Sequence, residues 1–362
     1  MIINNAGIEK APSPCYVIDE RLLRENLKLI KSVSDNSGAE IIMALKGFAM
    51  WSVFPVVSQY VNGATASSLN EALLIKNYLG VKAHSYVPVF TPDDFEKIAM
   101  LSSHITFNSL SQYQRFYPFL KEKKYGVSVG LRVNPEFSEV KTMLYNPCAP
   151  GTRLGITADQ LENGLPEGVE GLHFHALCES DSSDLVKTLN AFETRFGHLL
   201  SRLKWVNMGG GHLMTRKGYN IGLLIETIKE FKSKYQVHVI LEPGSAFAWE
   251  TGVLVSTVQD IVQSKGIKTA MLDVSFTAHM PDCLEMPYQP RIRNARADNN
   301  GPYVYRMGGN SCLSGDYMGD WSFDEELQVG QKVIFEDMIH YTMVKTSHFN
   351  GIKYPSIGVF DN

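Results

Sequence analysis

Eight short apolar, β-branched runs recur between residues 41 and 241, each separated from the next by a longer stretch, mostly with helical periodicity. They are 41–45, 61–65, 83–87, 104–107, 127–132, 170–174, 204–208 and 237–241. Strands that alternate with helices pair in parallel, because each crossover returns the chain to the same end of the sheet. Eight such units predict a (β/α)8 barrel of the TIM type. Helix starts are legible too. Ser68 with Glu71, and Thr157 with Gln160, have capping-box spacing, Pro92 follows Thr91, and Gly80 reads as a stop. Ahead of the first run, Leu22, Leu23, Leu27 and Ile30 share one face of a helix opening after Asp19.

Beyond about residue 245 the texture changes. The runs 253–258, 269–274, 302–307, 331–336 and 341–344 are β-rich and divided by Gly, Asn and Pro turns, which predicts a second, mostly β domain; 285–302 reads as a long loop. Charge narrows the partners. With 34 Lys and Arg against 38 Asp and Glu, the net charge of −4 supplies no field for nucleic acid or an anionic membrane. Cys15, Cys148, Cys178, Cys283 and Cys312 form no CxxC pair, so neither a disulfide framework nor a metal site is expected, and the compartment expected is the cytoplasm. No secretory signal is read at the N-terminus, and no run approaches the ~18 apolar residues of a membrane span.

In such a barrel the reactive groups sit at the C-terminal ends of the strands. Lys46 ends the first run, Arg132 the fifth, His175 the sixth, Gly209-Gly210-Gly211 the seventh and Glu242 the eighth. Lys46 stands in IIMALKGFAMW with no other charge from 41 to 51, so desolvation would favour the free amine that Schiff-base chemistry needs. The triple glycine can bring backbone N–H groups close to a phosphate, or simply make a tight turn. Glu242 can hold a pyridine nitrogen protonated, or pair with Arg132. His173 and His175 point to the same side of their strand, and one of them can stack on a flat ring; a packed core role suits His173 better. Further on, a glycine-rich loop presents Cys312, Ser314 and Asp316.

Taken together, ALKGFAMW, HFHALCESD, NMGGGHL, EPGSAF, LDVSFTAHMPDCLEMPY and GNSCLSGD resemble the fold-type III pyridoxal-phosphate decarboxylases. This alanine racemase-like group includes the ornithine and diaminopimelate decarboxylases. The resemblance runs from Pro14 to about Gly351 and implies a barrel over 20–245, with a β domain over 246–362 plus 1–19 that includes a strand near 14–18. It also implies bound pyridoxal 5'-phosphate and a homodimer with shared active sites. Lys46 would carry the cofactor, His175 would stack on its ring, and Glu242 would pair with its pyridine nitrogen. Gly209 to Gly211 would hold the phosphate, reached by Tyr341 from the second domain, and Arg132 matches the arginine that ends strand five. Cys312 would protonate the product carbanion and Asp316 would meet the substrate's distal amine.

Where relatives have an arginine after EPG this chain has Ser245, and where they have an acid after strand two it has Thr65. Diaminopimelate decarboxylases carry an arginine for the distal carboxylate in the stretch that here holds Pro281, Asp282 and Glu285. Such an acidic lining suits a substrate whose far end is positive. The reaction expected is decarboxylation of a carboxylated triamine, carboxynorspermidine or carboxyspermidine. Diaminopimelate, ornithine and arginine remain as alternatives. Non-catalytic pyridoxal-phosphate-binding homeostasis proteins share the barrel, but they lack the second β domain and the Cys312 to Asp316 element.

Overall fold

The computed structural model describes residues 5–360 and falls into two compact units, one spanning Glu25–Phe247 and the other Ala248 onward together with the chain up to Arg24. Residues 1–4 and 361–362 of the expected β domain lie outside the described residues. In the first unit the expected eight parallel strands are present: Glu40–Ile41 continued by Met43–Ala44, then Ala64–Ala66, Ala83–Tyr86, Ser102–Phe107, Ser128–Arg132, Val169–His173, Trp205–Asn207 and His238–Leu241. The first strand changes partner at Ile42, whose N–H donates to Leu241 O (2.9 Å) while Met43 N–H donates to Gly63 O (3.1 Å). One strand therefore joins the eighth to the second and closes the ring. Inside the ring, Trp205 occupies space that only glycines leave: a Cβ on Gly171 would stand 2.0 Å from its ring, and one on Gly130 2.2 Å.

Local signals act as the sequence implies at most helix ends. Ser68 Oγ accepts from Glu71 N–H (3.2 Å) and the Glu71 carboxylate accepts from Ser67 N–H (2.6 Å), opening the helix Leu69–Tyr78. Asp19 Oδ1 accepts from Leu22 N–H (3.1 Å) at the start of Glu20–Ser37. Thr157 and Gln160 are the exception. Only a 3-10 turn, Ala158–Leu161, forms there, and Gln160 Nε2 donates to Thr157 Oγ1 (2.9 Å). Asn163, Gly164 and Pro166 follow so closely that no helix can propagate from that start.

In the second unit Gly252–Ser264 is the central strand. It pairs antiparallel with Cys15–Asp19, Ile267–Leu272 and Lys332–Glu336, and Ser356–Phe360 adds to Cys15–Asp19 in parallel. Tyr303–Gly308 and Tyr317–Phe323 extend the other side. The sequence pattern missed Tyr317–Phe323, where Gly319 and Asp320 dilute the β signal, and the short Ser356–Phe360. The expected run 341–344 is instead a turn, and Tyr341 has φ of +32°, which extended backbone excludes. Among the described residues no helix is long and apolar enough to cross a membrane.

Candidate active site

Lys46 follows the first barrel strand, in the open mouth yet crowded by protein. Its Nζ lies 3.3 Å from His175 Nε2, and His175 Nδ1 accepts from Gly210 N–H (2.8 Å). That second bond assigns the proton of a neutral imidazole to Nε2, aimed at the lysine. Burial, Lys46 and Arg132 hold His175 well below its usual pKa. Burial and the Arg132 guanidinium push Lys46 down, opposed by Glu242, Cys178 and Glu71. The result is an amine inclined to lose its proton.

Across the mouth, Asn207 Nδ2 donates to Glu242 Oε1 (2.6 Å), while Glu242 Oε2 lies 3.6 Å from His173 Nε2. Burial raises the Glu242 carboxyl to about 7, against the pull of Asn207, Lys46 and Arg132. Arg132 does not pair with it among the described residues; its guanidinium sits 4.8 Å over the Tyr86 ring and donates to His175 O (3.3 Å). Gly209 and Gly211 have φ of +69° and +87°, and a Cβ on Gly210 would meet Glu242 O at 2.5 Å. Gly209 N–H donates to Asn207 Oδ1 (2.8 Å) and Gly210 N–H to His175, which narrows the expectation of three amides for a phosphate to the one of Gly211. Ser245 is buried at the head of the turn Ser245–Ala248. Asn207 escaped the sequence reading, although a polar residue two places before the glycine turn, at a strand's C-terminal end, was a usable signal.

The β unit carries a second group. Cys312 is exposed on its loop, anchored by its N–H to Asn350 Oδ1 (2.8 Å). Asp316 is buried, and its two oxygens accept from Thr277 N–H (3.1 Å) and Ser311 N–H (3.0 Å). It staples this loop, with one lone pair per oxygen left for an amine. Asp282 is buried and accepts from Tyr288 OH (2.9 Å) and Thr342 Oγ1 (2.8 Å). Glu285 is ion-paired with Lys345, which leaves it little charge to offer a substrate.

Residues 15–339 match the family described as pyridoxal-dependent decarboxylase, C-terminal sheet domain. The chain belongs to the pyridoxal-dependent decarboxylases. It is 50% identical to a carboxyaminopropylagmatine decarboxylase of Synechocystis sp. over 99% of this chain and 92% of the relative. It is 44% identical to the carboxynorspermidine/carboxyspermidine decarboxylase of Campylobacter jejuni, covering 98% and 94%. Carboxynorspermidine decarboxylase from Campylobacter jejuni, solved in complex with norspermidine, superposes with a TM-score of 0.88 at 42% identity, covering 97% and 94%.

The barrel residues of this decarboxylase fit a pyridoxal group. Lys46 is an amine held toward the neutral form that an aldehyde requires, and the dry Glu242 carboxyl would be relieved by a cationic ring nitrogen. Glu242 also marks the stability of the cofactor-free protein. Its carboxyl titrates near 4.5 when unfolded and about 7 when folded, so the folded chain binds the extra proton between those values. Its contribution is fully present below pH 4.5 and is lost as pH rises through about 7. Relative to Glu242→Gln, the wild type should lose roughly 3 kcal/mol between pH 4.5 and 8. Paired denaturant titrations across that range check this, and a constant difference between the two proteins would refute it.

Proposed function

We propose that this decarboxylase removes the α-carboxylate of carboxynorspermidine or carboxyspermidine, giving norspermidine or spermidine, with pyridoxal 5'-phosphate as cofactor. The observation that carries it is the near-complete match, at 44% identity and a TM-score of 0.88, to proteins named for that reaction. Buried acids at Asp316 and Asp282 suit a substrate with cations beyond its reacting carbon. The 50% identity to a carboxyaminopropylagmatine decarboxylase supports a second reading, in which the far end is a guanidinium.

Lys46 would hold the cofactor, His175 would pack against its ring, and the Gly211 amide, Ser245 and Tyr341 would serve its phosphate. When bound, the cofactor supplies an electron sink for the pair released as carbon dioxide leaves. Glu242 would keep the ring nitrogen protonated. Arg132, held over Tyr86, would keep the lysine's proton affinity low. The Cys312 thiol would deliver a proton to the substrate's α-carbon, and Asp316 would accept the distal amine. Both would come from a second copy of the chain in a homodimer. Five free thiols suit the cytoplasm as the working compartment.

Comparing kcat/KM for carboxynorspermidine, carboxyspermidine, carboxyaminopropylagmatine, diaminopimelate and ornithine tests the proposal. The carboxylated triamines should exceed diaminopimelate and ornithine by about 100-fold or more, the scale set by an unpaired buried charge. Preference for carboxyaminopropylagmatine would select the second reading. Preference for diaminopimelate or ornithine would overturn both.

A further inference from the structure

His173 is the last residue of the sixth barrel strand, its side chain is 3% exposed, and neither ring nitrogen has a hydrogen-bond partner among the described residues. Buried polar groups are seldom left so, because their lost hydration goes unreplaced. Its Nε2 lies 3.6 Å from Glu242 Oε2, the carboxylate oxygen that Asn207 does not occupy, just beyond hydrogen-bond range. The other groups acting on the ring are Tyr86, 5.4 Å away and tilted by 60°, the charges of Arg132 and Lys46, and the neutral imidazole of His175. Burial and the two cations keep the imidazole neutral, with a single N–H to give.

We propose that His173 is a positioning residue for Glu242: once that carboxylate ionises, the Nε2–H of His173 donates to Oε2 and, with Asn207 on Oε1, clamps the charge in place. The clamp deepens the reading in which Glu242 faces the pyridine nitrogen, and it rests on that reading for its catalytic consequence. A carboxylate held by two neutral donors keeps its negative charge without being neutralised by a cation. A histidine that only filled space would leave Glu242 untouched.

Full-length protein labelled with 15N-histidine, with and without bound pyridoxal phosphate, provides the direct test. Without cofactor, the His173 Nε2–H resonance should move downfield as pH rises through about 7, where Glu242 ionises. With cofactor it should stay downfield throughout, and in Glu242→Gln it should not move. For the loaded enzyme, His173→Leu should lower kcat by about tenfold or more, with KM within about threefold, the scale of one hydrogen bond to a charged group. His173→Gln keeps an N–H at similar reach and should restore kcat to within about threefold. A His173 resonance indifferent to Glu242, or wild-type kcat in His173→Leu, would overturn the clamp. Wild-type kcat in Glu242→Gln would instead overturn the pyridine reading, and the resonance would still decide whether His173 bonds Glu242.

Discussion

Lys46→Ala should abolish decarboxylation, with kcat falling by about 10^4 or more, and should also remove the visible absorbance of the protein-bound cofactor. The lysine follows the first barrel strand, is held toward its neutral form by burial and Arg132, and receives the Nε2 face of His175 at 3.3 Å. Borohydride reduction of the wild-type protein followed by peptide mapping should put the pyridoxyl group on Lys46 alone. Modification of another lysine, or appreciable turnover by Lys46→Ala, would displace the catalytic centre from the mouth of the barrel.

Mixing Lys46→Ala with Cys312→Ala should restore activity that neither variant shows alone. If each site draws Lys46 from one copy and Cys312 from the other, random exchange makes half the dimers mixed, each with one intact site, so recovery should approach about one quarter of wild type. Cys312 is suited to the role by its exposure on a loop whose base is stapled by Asp316. Native mass spectrometry must show mixed dimers in the sample. Their presence without recovered activity would rule out sharing and place both groups in sites of a single chain.

Much of the fold follows from patterns that are local in the chain. Alternating strand and helix periods dictate parallel pairing, and eight repeats close a ring, so the polar residues ending each run had to gather at one rim. Lys46, Arg132, His175 and Glu242 were therefore legible as a group before any coordinate. Ser68, Asp19 and Gly80 declared helix ends for the same reason, since a cap acts within a few residues of its own position.

Where hydrogen bonds go is decided across the ring. Asn207 meets Glu242, and Gly210 meets His175, over 35 residues of chain each; the second bond, with the local one from Gly209 N–H to Asn207, takes two of three glycine amides that the motif had offered to a phosphate. Asp316 gives one lone pair of each oxygen to the backbone of Thr277 and Ser311, and Glu285 is ion-paired with Lys345. Residue types and their order along the chain determined the architecture and the inventory of reactive groups. Tertiary structure alone decided which groups are dry, which are already bonded and which, like His173, are left without a partner, because desolvation and hydrogen-bond distance are properties of three-dimensional surroundings.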